Sequence, residues 1–281
     1  MKVLLQGMRN AAGESERLEL NHRFAAALGA ALEMKGAFTY PFDSLKGITS
    51  VVSPDRRFRL FTWPVLLSGG GYLCSGILQV PDQKGKGAHI VTFTDRGDSI
   101  YDPGRAILAP EEWFGAVYYQ VIPVKVQEGR TAYTLLGWRG LGLLVSSRII
   151  EIMTIGDDGA VTFGSTIFRD REKLPESRII FRYSTKASMV LTYEKQALVT
   201  GKKWNPSTRS FETERIREMV IVCDRLVPVD PQMEGRYEYY IPSADVMDGY
   251  IFSGGCWTFV REVDARNPSQ KPKPPPKNPD K

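Results

Sequence analysis

Leu18, Phe24, Leu28, Ala31 and Leu32 recur at helical spacing among Glu, Arg and Ala between Ser15 and Lys35, and Gly36 follows as a stop. This predicts one amphipathic helix, with its apolar stripe laid across an open face or end of a β domain. After Pro41 the pattern changes to short apolar or alternating runs. Strands are expected at 57–63, 72–80, 89–94, 118–126, 131–138, 148–155 and 161–167, then at 178–183, 189–193, 219–223, 236–241, 250–252 and 257–260. The connectors Ser53-Pro54-Asp55, Glu128-Gly129-Arg130, Asp157-Asp158-Gly159 and Ser253-Gly254-Gly255 carry turn chemistry: Gly tolerates positive φ, and Asp bonds back to its own turn.

Only Pro110–Phe114, opening Pro-Glu-Glu, predicts a second short helix. Strands and helices do not alternate, so a parallel α/β sheet is disfavoured. The reading is a mainly β, antiparallel, hairpin-rich domain preceded by one N-terminal amphipathic helix. Some sixteen short strands could form a small propeller-like array of four-stranded blades or a two-sheet sandwich. No period of about 40–45 residues singles out the propeller. The expected organisation is residues 1–40 with the helix, 41–267 as a single β-rich domain, and 268–281 as a disordered Pro/Lys tail.

Composition changes this picture little. Apolar residues at 42% and charged residues at 25% suit a chain with a sizeable core. The net charge of +5 invites an anionic partner, but Pro268–Lys281 carries four lysines and one aspartate, a contribution of +3 that leaves +2 for the rest. Nucleic acid is therefore disfavoured as a partner of the body, and the cationic tail is the one segment that fits an anion. Cys74, Cys223 and Cys256 form no CxxC pair; three thiols, or one disulfide and one thiol, both fit. No run approaches about 18 apolar residues, so no transmembrane segment is expected, and Met1–Arg17 shows no export leader.

Candidate chemistry is sparse. His22 falls in the predicted helix and His89 on a strand, so a histidine metal site is excluded. Gly137-Trp-Arg-Gly140-Leu-Gly142 and Gly85-Lys86-Gly87 lack the context of phosphate-binding loops. The segment Cys223–Asn267 stands out: it holds eight carboxylates, including Asp245 and Asp264, seven aromatic residues and no lysine. Asp224, Asp230, Glu234 and Asp248 are the candidate acids for a carboxylate pair of the glycoside-hydrolase kind, or for Ca²⁺, although the ordered spacing of a calcium loop is missing. Tyr237 and Tyr239 are candidate ligand-binding rings, as aromatic platforms stack on sugars. Trp63, Trp113, Trp138 and Trp257 are assigned to the core, and Trp204, in a polar stretch read as a loop, to an exposed contact.

Phe42-Asp-Ser-Leu45, Ser53-Pro-Asp55 with Phe58-Arg59, Trp113–Tyr119, Tyr133-Thr-Leu-Leu-Gly-Trp138, Asp224–Pro231, Glu234-Gly235, Asp248-Gly249 and Val263-Asp-Ala-Arg-Asn267 together resemble an uncharacterised family of usually exported Gram-negative bacterial proteins. The resemblance spans most of Phe42–Asn267 and implies a periplasmic or extracellular setting; the missing leader implies a cytoplasmic one instead. That family usually places an acid and asparagines after the Gly-Trp pair, where this chain has Arg139-Gly-Leu-Gly142. The functional expectation is a non-enzymatic binding or assembly protein of the envelope, with a glycan or envelope protein as partner and Asp224–Asp264 as the acid–aromatic contact surface. A carboxylate-based hydrolase, and anion or nucleic-acid binding through the basic tail, are the alternatives.

Overall fold

The computed structural model describes residues 1–82, 87–170, 174–207 and 209–263. The Pro/Lys tail, Asp264, the Val-Asp-Ala-Arg-Asn motif after Val263, and Gly85-Lys86 lie outside them, as does the side chain of Asp245.

Two helices open the chain where the pattern predicts one: α1 (Lys2–Asn10) and α2 (Glu14–Glu33). A nine-residue helix is marginal alone. Leu5 and Met8, three apart, give α1 an apolar edge that packs with Phe24, Leu28 and Leu32 of α2. Glu14 and Glu16 lie in the first turn of α2, where carboxylates complement the helix dipole.

The rest is mainly β. The first sheet is a meander of β1 (Thr49–Val52), β2 (Arg59–Leu66), β3 (Tyr72–Pro81) and β4 (Ala88–Thr94), paired in that order. β5 (Val117–Lys125), β6 (Thr131–Gly140), β7 (Val145–Ile155) and β8 (Val161–Phe163) begin the middle sheet. β9 (Phe168–Arg169) leaves for the last sheet, and β10 (Ile179–Ser184) completes the middle one in the order β10-β7-β6-β5, with β8 on β7. The last sheet follows as β11 (Leu191–Asn205), β12 (Ser210–Pro228), β13 (Tyr240–Ser253) and β14 (Cys256–Val263), with β9 at its edge. Only β9–β14 is parallel among these pairs.

Strand alternation sorts the core into layers. Phe61, Trp63, Val65 and Ile77 face the helices, whereas Phe58, Leu60, Cys74 and Leu78 meet Tyr133, Leu135, Ile149 and Met153 of the middle sheet. Ala132, Leu136, Ile150 and Ile152, on its other face, meet Ile221, Cys223, Tyr250 and Trp257 of the last sheet. A sheet covered on both sides explains the near-continuous burial along β6 and β7. The architecture therefore has three stacked meanders, one more than a two-sheet sandwich, over a helical layer.

Two buried arginines fix the long connection between β4 and β5. Arg139 donates to Asp95 (2.6 Å), Asp98 (3.0 Å) and the carbonyls of Phe114 (2.9 Å) and Gly115 (3.1 Å). Arg178 donates to Glu151 at 2.7 Å, with both side chains fully buried, and to the Pro103 carbonyl. The Phe114 ring lies 5.4 Å and 5.8 Å from the two guanidinium carbons.

Several expectations are corrected. Pro110–Glu112 is a single 3₁₀ turn, too short to be the predicted helix. The strand expected at 161–167 stops at Gly164 (φ 94°), where an added Cβ would lie 2.7 Å from the Ala106 carbonyl oxygen. Residues 237–239, expected within a strand, form a 3₁₀ turn, and pairing starts at Tyr240. β11 and β12 run far beyond the short strands expected at 189–193 and 219–223. The expected total of some sixteen becomes fourteen among the described residues. Cys74, Cys223 and Cys256 are all buried and none is in a disulfide. No helix among the described residues is long and apolar enough to cross a membrane.

Candidate functional site

The four candidate acids occupy three kinds of place. Asp224, on β12, accepts from the Val190 amide (2.7 Å) and donates its own amide to the Val190 carbonyl (3.2 Å), clipping the start of β11. Burial raises its pKa, and the Val190 hydrogen bond opposes that shift. Asp248, on β13, is buried and takes a two-pronged contact from Arg225, with Nε at 2.9 Å and Nη2 at 2.6 Å. The Glu262 amide adds a third hydrogen bond at 3.1 Å, at an irregularity in the β13–β14 register. Asp230 caps the 3₁₀ turn Pro231–Met233 through the Gln232 amide (2.8 Å), and Glu234 ends that turn in solvent. Among the described residues no three His, Cys, Asp or Glu side chains gather as a metal site.

Tyr237 and Tyr239 are partly exposed in the next 3₁₀ turn, and each lies against an arginine. Arg182 of β10 sits 5.4 Å from the Tyr237 ring centre, and Arg236 sits 4.8 Å from that of Tyr239. Such contacts use the ring faces that a sugar would need. Trp204 is exposed as predicted, though on β11 and not in a loop. Trp63, Trp113 and Trp257 are fully buried, but Trp138 is only half-buried, and it leads to a different site.

Trp138 of β6 lines a groove of about 390 Å³ with Tyr72 of β3, Tyr183 of β10, Ser146 of β7 and Thr185. Gly140, Ser146 and Tyr183 form one cross-strand row through β6, β7 and β10. Tyr72 leans in from the first sheet, its ring centre 5.3 Å from that of Trp138 at an interplanar angle of 65°. Gly140 is required for this approach, since a Cβ there would lie 2.5 Å from the Tyr72 ring. The Trp138 indole donates to Ser146 Oγ (2.6 Å), which leaves the hydroxyl hydrogen of Ser146 available as a donor. Thr185 fastens the rim by donating its hydroxyl and amide to the Leu143 and Leu144 carbonyls (2.8 and 3.0 Å).

The groove lining contains aromatic rings, hydroxyls and small residues but no carboxylate, lysine or arginine. It closes around Trp138–Gly142, the stretch that resembles a glycine loop in sequence. Neither β6 nor its turn makes a phosphate cradle: Gly137 lies inside the strand to admit the Tyr118 ring, and Arg139 is spent on Asp95 and Asp98. The sequence signal was available in the alternation of β6, where Trp138 follows the residues facing the last sheet but lies beyond its cover. Comparison with protein-family models, curated proteins and solved structures finds no match to the chain.

Proposed function

We propose that this is a non-enzymatic binding protein of the bacterial envelope, and that the Tyr72–Trp138–Tyr183 groove receives an uncharged, ring-bearing polar ligand such as part of a glycan. The carrying observation is the groove lining: aromatic rings with adjacent hydroxyls and no carboxylate, lysine or arginine. Its volume lies in the range of small-molecule sites, and rings beside hydroxyls suit a ligand whose faces are apolar and whose edges are polar. The envelope setting rests on the resemblance to exported proteins. A glycoside-hydrolase reading requires two carboxyls on one ligand, and this groove offers none.

A panel of neutral oligosaccharides tests the proposal by thermal unfolding and intrinsic fluorescence. A ligand that prefers the native state stabilises it by about 2.7 kcal/mol at a hundred times its Kd. A member of the panel should raise Tm, and Trp138→Ala should remove that rise while far-UV circular dichroism stays unchanged. No shift from any neutral sugar, or an undiminished shift in the variant, would sink the groove as a glycan site.

A further inference from the structure

We propose that the tip of the β11–β12 hairpin is a membrane-contact element, which docks on an anionic lipid surface with Trp204 and Phe211 entering the headgroup layer. β12 meets β13 only from Val220 onwards, whereas its pairing with β11 continues from Glu194–Val220 to Asn205–Ser210. Leu198, near the base of this arm, is still buried with Val220, Val222 and Val263. Past it, among the described residues, the hairpin is a two-stranded ribbon, and at roughly 3.3 Å per residue it reaches about 23 Å further.

The outer end of this arm combines two features. Trp204 and Phe211 face each other across the strands, their ring centres 5.1 Å apart, and are 49% and 66% exposed. Lys203 and Arg209 are exposed beside them, and the ten residues Lys202–Phe211 contain three cations and no carboxylate. The next acid, Glu212, accepts from Asn205 across the turn (2.5 Å). The cross-strand ring pair adds some stability to the hairpin, but it leaves large apolar surface in solvent at the far end, more than pairing alone requires.

Charge and size favour a lipid surface. Tryptophan and cationic side chains partition into the headgroup region, and each basic residue near an anionic leaflet adds attraction. A protein partner would need roughly 800 Å² from each side, which a hairpin tip does not offer. A nucleic acid needs a longer basic track, and the body outside the tail is nearly neutral. The tip and the groove are separate sites, so failure of either proposal leaves the other intact.

The test uses the full chain with vesicles of phosphatidylglycerol and phosphatidylcholine, against phosphatidylcholine alone, read by co-sedimentation and tryptophan emission. Binding should require phosphatidylglycerol, weaken with salt and shift emission to the blue. Trp204→Phe should keep binding but lose most of the shift, because Trp63, Trp113 and Trp257 are already buried. The pair Lys203→Glu and Arg209→Glu should weaken binding roughly thirtyfold, from about tenfold or less per reversed charge. Trp204→Ser with Phe211→Ser should weaken it as well, with Tm unchanged in every variant. Equal binding by the charge-reversed protein overturns the proposal. So does loss of binding on removing Pro268–Lys281 while the tip variants bind normally, or binding to a single-stranded oligonucleotide without binding to vesicles.

Discussion

Asp55 links two layers through one carboxylate. It sits in the Ser53-Pro-Asp turn before β2 and accepts from the Tyr133 hydroxyl of the middle sheet (2.8 Å) and from the Arg57 amide (3.3 Å). Burial opposes its charge, but hydrogen bonds from Ser53, Tyr133 and Arg57 prevail and hold its pKa below the ordinary value. Burial, then Asp55, pushes Tyr133 up to about 12. A carboxyl with a lowered folded pKa stabilises above its unfolded value of about 3.9, and that contribution fades as the pH falls through the folded value. Asp55→Asn should therefore lower stability at pH 7 by a few tenths of a kcal/mol, since solvent screens this exposed carboxylate, and flatten the loss seen in wild type below about pH 4. Urea unfolding across this range checks both effects; an unchanged midpoint at pH 7 would leave the link without a stabilising role. The Ser-Pro-Asp turn was legible in the sequence. Its partner was not, because Tyr133 lies 78 residues away and reads as an ordinary strand aromatic.

Glu151 and Arg178 join β7 to the segment entering β10, and their burial decides what mutation does there. Removing one partner strands a charge in the core, at a cost of roughly 3–5 kcal/mol, whereas replacing both with apolar residues of similar size is often tolerated. Glu151→Gln and Arg178→Met should each lower Tm strongly, and Glu151→Leu with Arg178→Met should recover much of the loss. Equal damage in the double variant would show that the arginine matters mainly for holding the Pro103 carbonyl. Apolar runs such as Arg148–Ile155 located strands within a few residues, because burial on one or both faces leaves that pattern. The distal parts of β11 and β12 were invisible for the opposite reason. Lys195–Met219 is laced with charges and, beyond Leu198, which packs with Val220, Val222 and Val263, is held mainly by its backbone ladder, so it shows little apolar alternation to read.

Over the whole molecule, stability should follow the layers. Amides of β6 and β7, in a sheet covered on both faces, should exchange most slowly with solvent deuterium, and those of the arm between Lys195 and Met219 fastest among the strands. Equal protection in the arm and the middle sheet would mean that the arm is covered in solution. The acids of Cys223–Asn267 were conspicuous in sequence, yet Asp224, Asp230 and Asp248 serve the local backbone or Arg225. The groove was hidden because Tyr72 meets Trp138 only when two sheets stack, a juxtaposition no local pattern encodes. β9 extends this lesson to synthesis. Phe168 pairs with Trp257, so a strand made midway along the chain waits for one of the last to emerge. Until β14 leaves the ribosome the outer face of the middle sheet lacks Trp257, and a nascent chain stalled before β12–β14 emerge would present Ile150, Ile152 and Leu136 to chaperones or to other unfinished copies.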